Sequence, residues 1–293
     1  FKPYEKLIIT PLMPTISIII LTYNREELLL ETLQSVFAQS YTDFEIIILD
    51  DGSTDQTRQR IEELGHAAIQ YHYTAHVGNL SQLRNLAWTY AKGEFIAFLD
   101  ADDIWLPRKL EKQLEIIRTD EKLAFVYTDV EEFNAKGVLR PRIYAPYQAE
   151  WTSVDQFERT LSGQMPIYAS TVLIRKSLAE RVGKFEDSLI LGDTHYLLRL
   201  AQQHPCQVIF EPLVRIRKHD RNISVYQERE AYIEMLSLLA VFQKEQSVLR
   251  RDIHKYQAFY YRQLAQFDRR RGKWPLALKS YGRTILLRLL MQL

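Results

Sequence analysis

The 293-residue sequence predicts two parts: a mixed, mostly parallel α/β sheet with helices on both faces over residues 1–225, and an all-helical extension over 226–293. Three observations carry this. Short apolar runs alternate with longer amphipathic stretches through the first half. The runs are apolar along their whole length instead of at every second residue, which asks for cover on both faces of the sheet. After about residue 226 no strand pattern recurs.

Taken in order, ISIIIL (16–21) is the first strand, TYNRE is the loop that leaves it, and 25–39 is an amphipathic helix. FEIIIL (44–49) is the second strand; it ends in DDGSTD and is followed by a helix over 54–64. A third strand at 68–73 precedes a helix at 79–91. The fourth, at 95–99, runs into DADD and then a helix over 107–118. Sheets of this kind bind ligands beyond the carboxyl ends of their strands, so TYNRE, DDGSTD and DADD are expected to converge at one edge. Residues 123–225 are mixed: a strand at 123–130, a polar loop with Arg140, Arg142 and Tyr144, a strand at 170–174 and a helix at 193–203.

Charge divides the chain unevenly. Residues 226–293 hold 13 Lys and Arg against 6 Asp and Glu, so the tail carries +7, and the remainder −6 of a total of +1. A near-neutral total argues against nucleic acid as a partner, while a basic tail suits either a solvated helical surface or peripheral contact with a membrane. TILLRLLMQL (284–293) has one charge, Arg288, and can lie on a membrane, pack on a partner or finish a hairpin. No apolar run approaches the roughly 20 residues of a spanning helix. The lone cysteine, Cys206, has no partner for an internal disulfide and reads as a small core residue. A cytoplasmic location is the expectation, with the solvated surface the favoured reading of the tail and peripheral membrane attachment left open beside it.

Asp100, Asp102 and Asp103 crowd the end of the fourth strand. Asp-X-Asp on a turn can share a hard divalent cation, Mg²⁺ or Mn²⁺, leaving its other sites to water and phosphate oxygens. A calcium loop is excluded, because its sixth position needs Gly and here holds Trp105. Two other readings stay open on these residues alone: a phosphatase of the haloacid dehalogenase kind, and acidic residues complementing the dipole of a helix starting at Pro107, a task that suits Asp103. DDGSTD is equally divided between a turn that caps the next helix and an acidic group, Asp51, placed to accept from a base or ribose. Asp193 is either the N-cap of its helix or a proton acceptor. His219 in RIRKHDRNIS is either an exposed histidine in a basic loop or part of the site, where Arg215 or Arg217 can add positive charge.

Together, ISIIILTYNREELLLETLQSVFAQSYTDFEIIILDDGSTD, GNLSQLRNLAWTYAKGEFIAFLDADD and GKFEDSLILGDTHYLLRLA resemble glycosyltransferase family 2, inverting enzymes of the GT-A fold that use nucleotide sugars. The likeness covers about residues 14–225. It implies that Thr22, Tyr23, Asn24, Asp51 and Arg84 help hold the nucleotide, that Asp100 lies near ribose and metal, that Asp102 ligates Mn²⁺ or Mg²⁺, that His219 lies beside the metal or diphosphate, and that Asp193 is the catalytic base. It further implies a nucleotide-sugar donor, UDP-linked by preference over GDP or dTDP, and a polysaccharide, lipid-linked or protein acceptor. The upstream DDGSTD disfavours the phosphatase reading. One residue departs from the family's pattern: Gly192 stands where most members carry Glu before the base. It leaves a non-catalytic nucleotide-sugar or glycan binding module as the second reading. Within the tail, YRQLAQFDRRRGKWPLALKSYGRTILL resembles half of a tetratricopeptide repeat, with Gly272, Trp274, Ala277 and Tyr281 at suitable spacing, and is expected to form a helical hairpin docked on the first part.

Overall fold

A computed structural model describes residues 13–150, 156–220, 222, 227–244 and 250–291. The sheet opens with β1 (Ile16–Thr22), α1 (Glu26–Phe37), β2 (Phe44–Asp50), α2 (Thr57–Leu64), β3 (Ile69–Tyr73), α3 (Leu80–Trp88) and β4 (Phe95–Asp100). A two-residue β5 (Ile104–Trp105) precedes α4 (Lys109–Ile117), β6 (Phe125–Asn134), β7 (Gly137–Arg140), α5 (Gln156–Leu161), β8 (Leu173–Arg175), α6 (Lys176–Val182), α7 (Gly192–Gln203) and β9 (Cys206–Arg217). The tail is α8 (Glu228–Lys244), α9 (Arg250–Arg270) and α10 (Trp274–Leu290). Strand order is β3-β2-β1-β4-β8-β6-β9-β5, with β7 on β6. The first four strands are parallel, β8 runs antiparallel to β4 and β6, and β9 is again parallel to β6.

Continuously apolar strands supply two cores. Ile18 and Ile20 face the layer under α1 and α4, beside Leu33 and Leu114, while Ile19 faces the layer of Leu83 from α3 and Leu197 from α7. Adjacent residues on a strand point to opposite faces, so a run without polar gaps can only be buried twice. The two-sided cover expected from ISIIIL and FEIIIL is what forms.

Later elements differ from the sequence reading in physical detail. β9 carries Pro212 and three charged residues, and its pairing with β6 shifts register around Asp129 opposite that proline, so periodicity hides it. The stretch holding Arg140, Arg142 and Tyr144 is not a free polar loop. Arg140 ends β7 and pairs with Glu132, Arg142 reaches Asp129, and Tyr144 is fully buried. Asp129 binds this segment to the sheet, its Oδ1 accepting the Ile143 and Tyr144 amides at 2.9 Å each. Residues 169–171 form a 3-10 turn ahead of β8, and α2 starts at Thr57 because the residues before it are bound across the loops described below. Cys206 is buried, as expected, and burial pushes its thiol pKa up.

In the tail, Gly272 adopts φ +73, a left-handed turn open to glycine at little cost, and α10 folds back on α9 as the expected hairpin. Docking falls to α8 and α9. Met235, Leu239 and Phe242 of α8 and Ile253 and Tyr256 of α9 share one apolar cluster with Phe157 and Leu161 of α5 and Leu198 of α7. The expected boundary at 225/226 lies outside the described residues. No helix among the described residues is long and apolar enough to cross a membrane.

Candidate active site

β1, β2 and β4 end side by side, with Thr22 opposite Asp50 and Leu21 opposite Asp100, so their three loops meet. Asn24 holds the first to the second. It sits at φ +49, the sole non-glycine positive φ among the described residues, where Asn is tolerated better than most residues. From there its backbone N–H donates to Ser53 Oγ at 2.8 Å and its side-chain oxygen accepts the Thr54 amide at 2.8 Å. Asp50 is a buried brace, accepting from the Ser53 amide at 2.7 Å and the Tyr71 hydroxyl at 2.5 Å.

Asp51 faces the next loop. Its Oδ1 accepts the Val77 amide at 2.7 Å and its Oδ2 the Gly78 amide at 2.9 Å, so Asp51 is a ligand for residues 77–78, while the turn-and-cap part of DDGSTD falls to Asp55, whose Oδ1 accepts the Thr57 amide at 3.0 Å at the start of α2. A carboxylate offers about four lone-pair sites, and two amides leave acceptor capacity free. His76 packs over this corner, its Nδ1 2.9 Å from Asp51 and its ring stacked on Tyr23 at 4.1 Å between centroids. Gly52, at φ +81, is required there, because a Cβ would come within 2.7 Å of the His76 amide nitrogen. Thr22 is buried at the floor, its hydroxyl without a partner.

Behind β4 the three aspartates take three different environments. Asp103 is buried, accepts from Ser170 Oγ at 2.6 Å and from the Arg217 amide at 3.0 Å, and is pushed well up in pKa by burial and by the neighbouring carboxylates. It ties β4 to β9 and does not cap α4, which begins at Lys109 behind an Arg108 N-cap without a side-chain bond. Asp102 gathers positive and donor groups on one oxygen: the Arg25 guanidinium, His219 Nε2 at 2.9 Å and Asn222 Nδ2 at 3.5 Å. Asp100 keeps 52% of its side chain open to the cleft. The surrounding protein, then the Asp102 and Asp193 carboxylates, push it up to about 6 against the pull of Arg84.

Arg84 joins the two walls. Buried on α3 against the paired rings of Phe98 and Phe185, it brings Nη2 to 3.9 Å from Asp100 and 3.4 Å from Asp193. Asp193 is the second residue of α7, whose N-cap, Leu191, makes no side-chain bond, so Asp193 is not the cap. The start of α7 is held from outside: Glu234 of α8 accepts the Ile190 amide at 2.9 Å and the Leu191 amide at 2.5 Å. From the other side α7 presses on α3, where a Cβ on Gly192 would collide with Ser81 Oγ and reach 3.1 Å from the Glu186 carbonyl.

The model of the family described as "Glycosyl transferase family 2" matches residues 17–182. The chain belongs to glycosyl transferase family 2. Among this family's curated proteins, the chain is 35% identical over 124 residues to an Escherichia coli protein named UDP-Glc:alpha-D-GlcNAc-diphosphoundecaprenol beta-1,3-glucosyltransferase WfgD, covering 42% of this chain and 49% of that one. It is 33% identical over 157 residues to Bacillus subtilis TuaG, a putative teichuronic acid biosynthesis glycosyltransferase, covering 53% and 61%. The chain thus spans about half the length of curated relatives it matches. Staphylococcus aureus TarS residues 1–349, solved with UDP-GlcNAc, is 21% identical with a TM-score of 0.64, over 93% of this chain and 81% of that one. Pyrobaculum calidifontis PcManGT, solved with GDP-Man and Mn²⁺, gives 18% and 0.62, over 91% and 74%. These likenesses establish the GT-A-like fold.

The nine residues singled out for this family 2 chain fall into three groups at the strand ends: Thr22, Tyr23, Asn24 and Asp51 on the first two loops, Asp102 with His219, and Asp100 with Arg84 and Asp193. Two expectations change: Asp103 is a brace, and Arg215 is engaged by Glu131 at 2.6 Å; of the two arginines it is Arg217 whose guanidinium lies at Asp102, donating Nε to the Asp102 carbonyl at 3.0 Å while it also pairs with Glu31. Arg25, His76, Asn222 and Glu234 were not singled out. Arg25 stood within TYNRE and Asn222 within RIRKHDRNIS; nothing local marks Glu234. No three His, Cys, Asp or Glu side chains gather as a ready-made metal site among the described residues, so a divalent cation fits here as one completed by a ligand's phosphates. Arg25, His219 and Asn222 converge on Asp102 where a cation's charge would otherwise be needed, and an aspartate oxygen with an imidazole nitrogen is an acceptable donor pair for Mn²⁺. Mg²⁺ needs only one or two carboxylates beside substrate phosphates.

Proposed function

We propose that this chain is a metal-dependent inverting glycosyltransferase that moves a sugar from a nucleotide sugar, UDP-linked by preference, to an acceptor hydroxyl, a lipid-linked sugar ahead of other glycans or a protein. The observation that carries the reading is the position of Arg84 between Asp100 and Asp193, which makes strand-end and helix-borne carboxylates two walls of one cleft. Support for the donor comes from the UDP-GlcNAc bound by TarS and the UDP-Glc in the name of WfgD; that same name, with its diphosphoundecaprenol acceptor, supports the lipid-linked choice. Mn²⁺ in PcManGT supports the metal.

Tyr23 offers a ring face to the base, and Asp51 uses the acceptor capacity left by Val77 and Gly78 for a base N–H. Thr22 and Asn24 shape the loop beneath it. Asp102, with Asp100 and His219, would hold Mn²⁺ or Mg²⁺, which when bound would supply Lewis-acid stabilisation of charge on the departing diphosphate. Asp193 accepts the acceptor's hydroxyl proton as that oxygen bonds to the anomeric carbon from the face opposite the diphosphate. The anomeric C–O bond breaks, its electron pair leaves with the nucleoside diphosphate, and configuration inverts. The rival binding-module reading drew on Gly192 alone. Close packing on Ser81 gives that glycine a steric reason independent of the chemistry at Asp193.

The test is a panel of UDP-, GDP- and dTDP-sugars with Mn²⁺, Mg²⁺ or EDTA, scored by calorimetry and by slow donor hydrolysis. UDP binding should need the metal and should fall at least tenfold in Asp102→Ala, whose melting temperature stays near that of wild type. Equal binding with EDTA, or in Asp102→Ala, would remove the metal assignment, and equal binding of all three nucleotides would remove the base-reading role of Asp51.

A further inference from the structure

α10 is inside out. Helices of folded proteins turn their apolar stripe toward the core. Here the residues buried against the hairpin partner are the small Ala277 and Thr284, while Trp274, Leu278, Ile285, Leu286 and Leu289 are exposed, Leu278 at 67% and Ile285 at 60%. At 3.6 residues per turn the exposed apolar arc, from Trp274 round to Leu290, covers about 160°. Arg283 lies just beyond one end of this arc with Lys279 just inside it, between Leu286 and Leu290, and Arg288 lies beyond the other end. Apolar exposure on this scale marks a surface meant to be covered.

Charge identifies the cover. From Arg269 to Leu293 the chain carries seven basic residues and no acidic one. Its last carboxylate, Asp268, is buried on Arg229. A second copy of this face would set +7 against +7. An anionic lipid surface meets both features, taking the apolar arc among its acyl chains and the flanking cations at its headgroups, as amphipathic interfacial helices do. Lys279 and the arginines can bury their stems along the apolar boundary and leave their charges at the phosphates. We propose that the exposed face of α10 docks this protein on anionic membrane, with α10 lying in the interface plane. The assignment uses neither the donor nor the acceptor reading above, so the two stand or fall separately.

The experiment is vesicle co-sedimentation of the full chain, with phosphatidylcholine vesicles and with vesicles containing 30% phosphatidylglycerol. Wild type should bind the anionic vesicles, more weakly at high salt, and the neutral ones poorly. Leu278→Ser with Ile285→Ser leaves charge unchanged and should lower anionic binding at least tenfold. Lys279→Gln with Arg288→Gln keeps the apolar face and should lower it about 30-fold, at roughly a factor of five per surface charge. All four side chains are exposed, so both variants should keep the wild-type melting temperature and nucleotide binding, which separates lost docking from lost folding. Wild type that ignores anionic vesicles overturns the proposal. So does a serine variant that binds as wild type does, or a concentration-dependent dimer in sedimentation velocity that the serine changes abolish.

Discussion

The loops after β1, β2, β3 and β4 hold one another, whereas the start of α7 is held by its neighbours. In the first region Asn24 binds residues 53–55, Asp51 binds residues 77–78, and Asp102 gathers Arg25: each bond runs from one strand-end loop to the next. In the second, Asp193 sits on a helix without a side-chain cap, held by Glu234 of the tail and by contact with Ser81 of α3. A carboxylate on a self-braced edge should tolerate damage to the helical tail. One on a borrowed frame should not. On the proposed function the division is also one of roles, donor binding at the edge and proton transfer at α7, so the two regions can be broken separately.

The largest effect expected is that of Asp193→Asn. Asn keeps size and most hydrogen bonding but accepts no proton at the catalytic step, so turnover should fall by about 10² to 10⁴ with donor affinity nearly unchanged. That is about 3 to 5 kcal/mol of transition-state stabilisation. Turnover at saturating donor, beside a melting curve, is the measurement. Near-normal turnover would remove Asp193 from the chemistry and make α7 a merely structural wall.

Gly192→Ala comes next. The added methyl must displace Ser81 or lift α7, and overpacking of this kind costs about 1 to 3 kcal/mol. Lifting α7 also draws Asp193 from Arg84, so turnover should fall about tenfold or more beyond the lost stability. Ser81→Ala in the same chain removes the colliding oxygen and should restore both quantities in a double-mutant cycle. Additive losses would show that the glycine is needed for some reason other than this contact.

The two regions also differ in how far the sequence discloses them. ISIIIL, FEIIIL and FIAFL announce a doubly covered sheet because strand periodicity is local, and TYNRE, DDGSTD and DADD follow them directly, so the convergence of Asp51, Asp100 and Asp102 is legible before any coordinates. β9 is not, because Pro212 and a register shift break its period. Asp103 looks like one of three equivalent carboxylates; only the approach of Ser170 and Arg217, residues 67 and 114 positions away, makes it a brace. Gly192 reads as a defect in a pattern until Ser81 is seen across from it. Glu234 lies 43 residues after the amide it binds, on a helix whose own pattern records only its buried face.

Glu234 gives the smallest expected effect and the sharpest test of the borrowed frame. Hydrogen bonds to a charged acceptor contribute about 1.5 to 3 kcal/mol when enclosed. The amides of Ile190 and Leu191 lie near the surface, where water can replace part of that. Glu234→Ala should therefore lower the melting temperature by a few degrees and turnover about three- to tenfold, through a looser start of α7 and a less constrained Asp193. Donor affinity should not move, since Asp51, Asn24 and Asp102 take no support from α8. Glu234→Gln keeps one acceptor oxygen and should recover part of the turnover. A generally weakened fold would lower turnover and donor binding together, and Gln would help no more than Ala. A fall in turnover with a constant donor constant and partial rescue by Gln would make Glu234 a positioning residue for Asp193. A fall in both, unrescued, would mean that the tail supports the whole sheet edge and that the two regions are one.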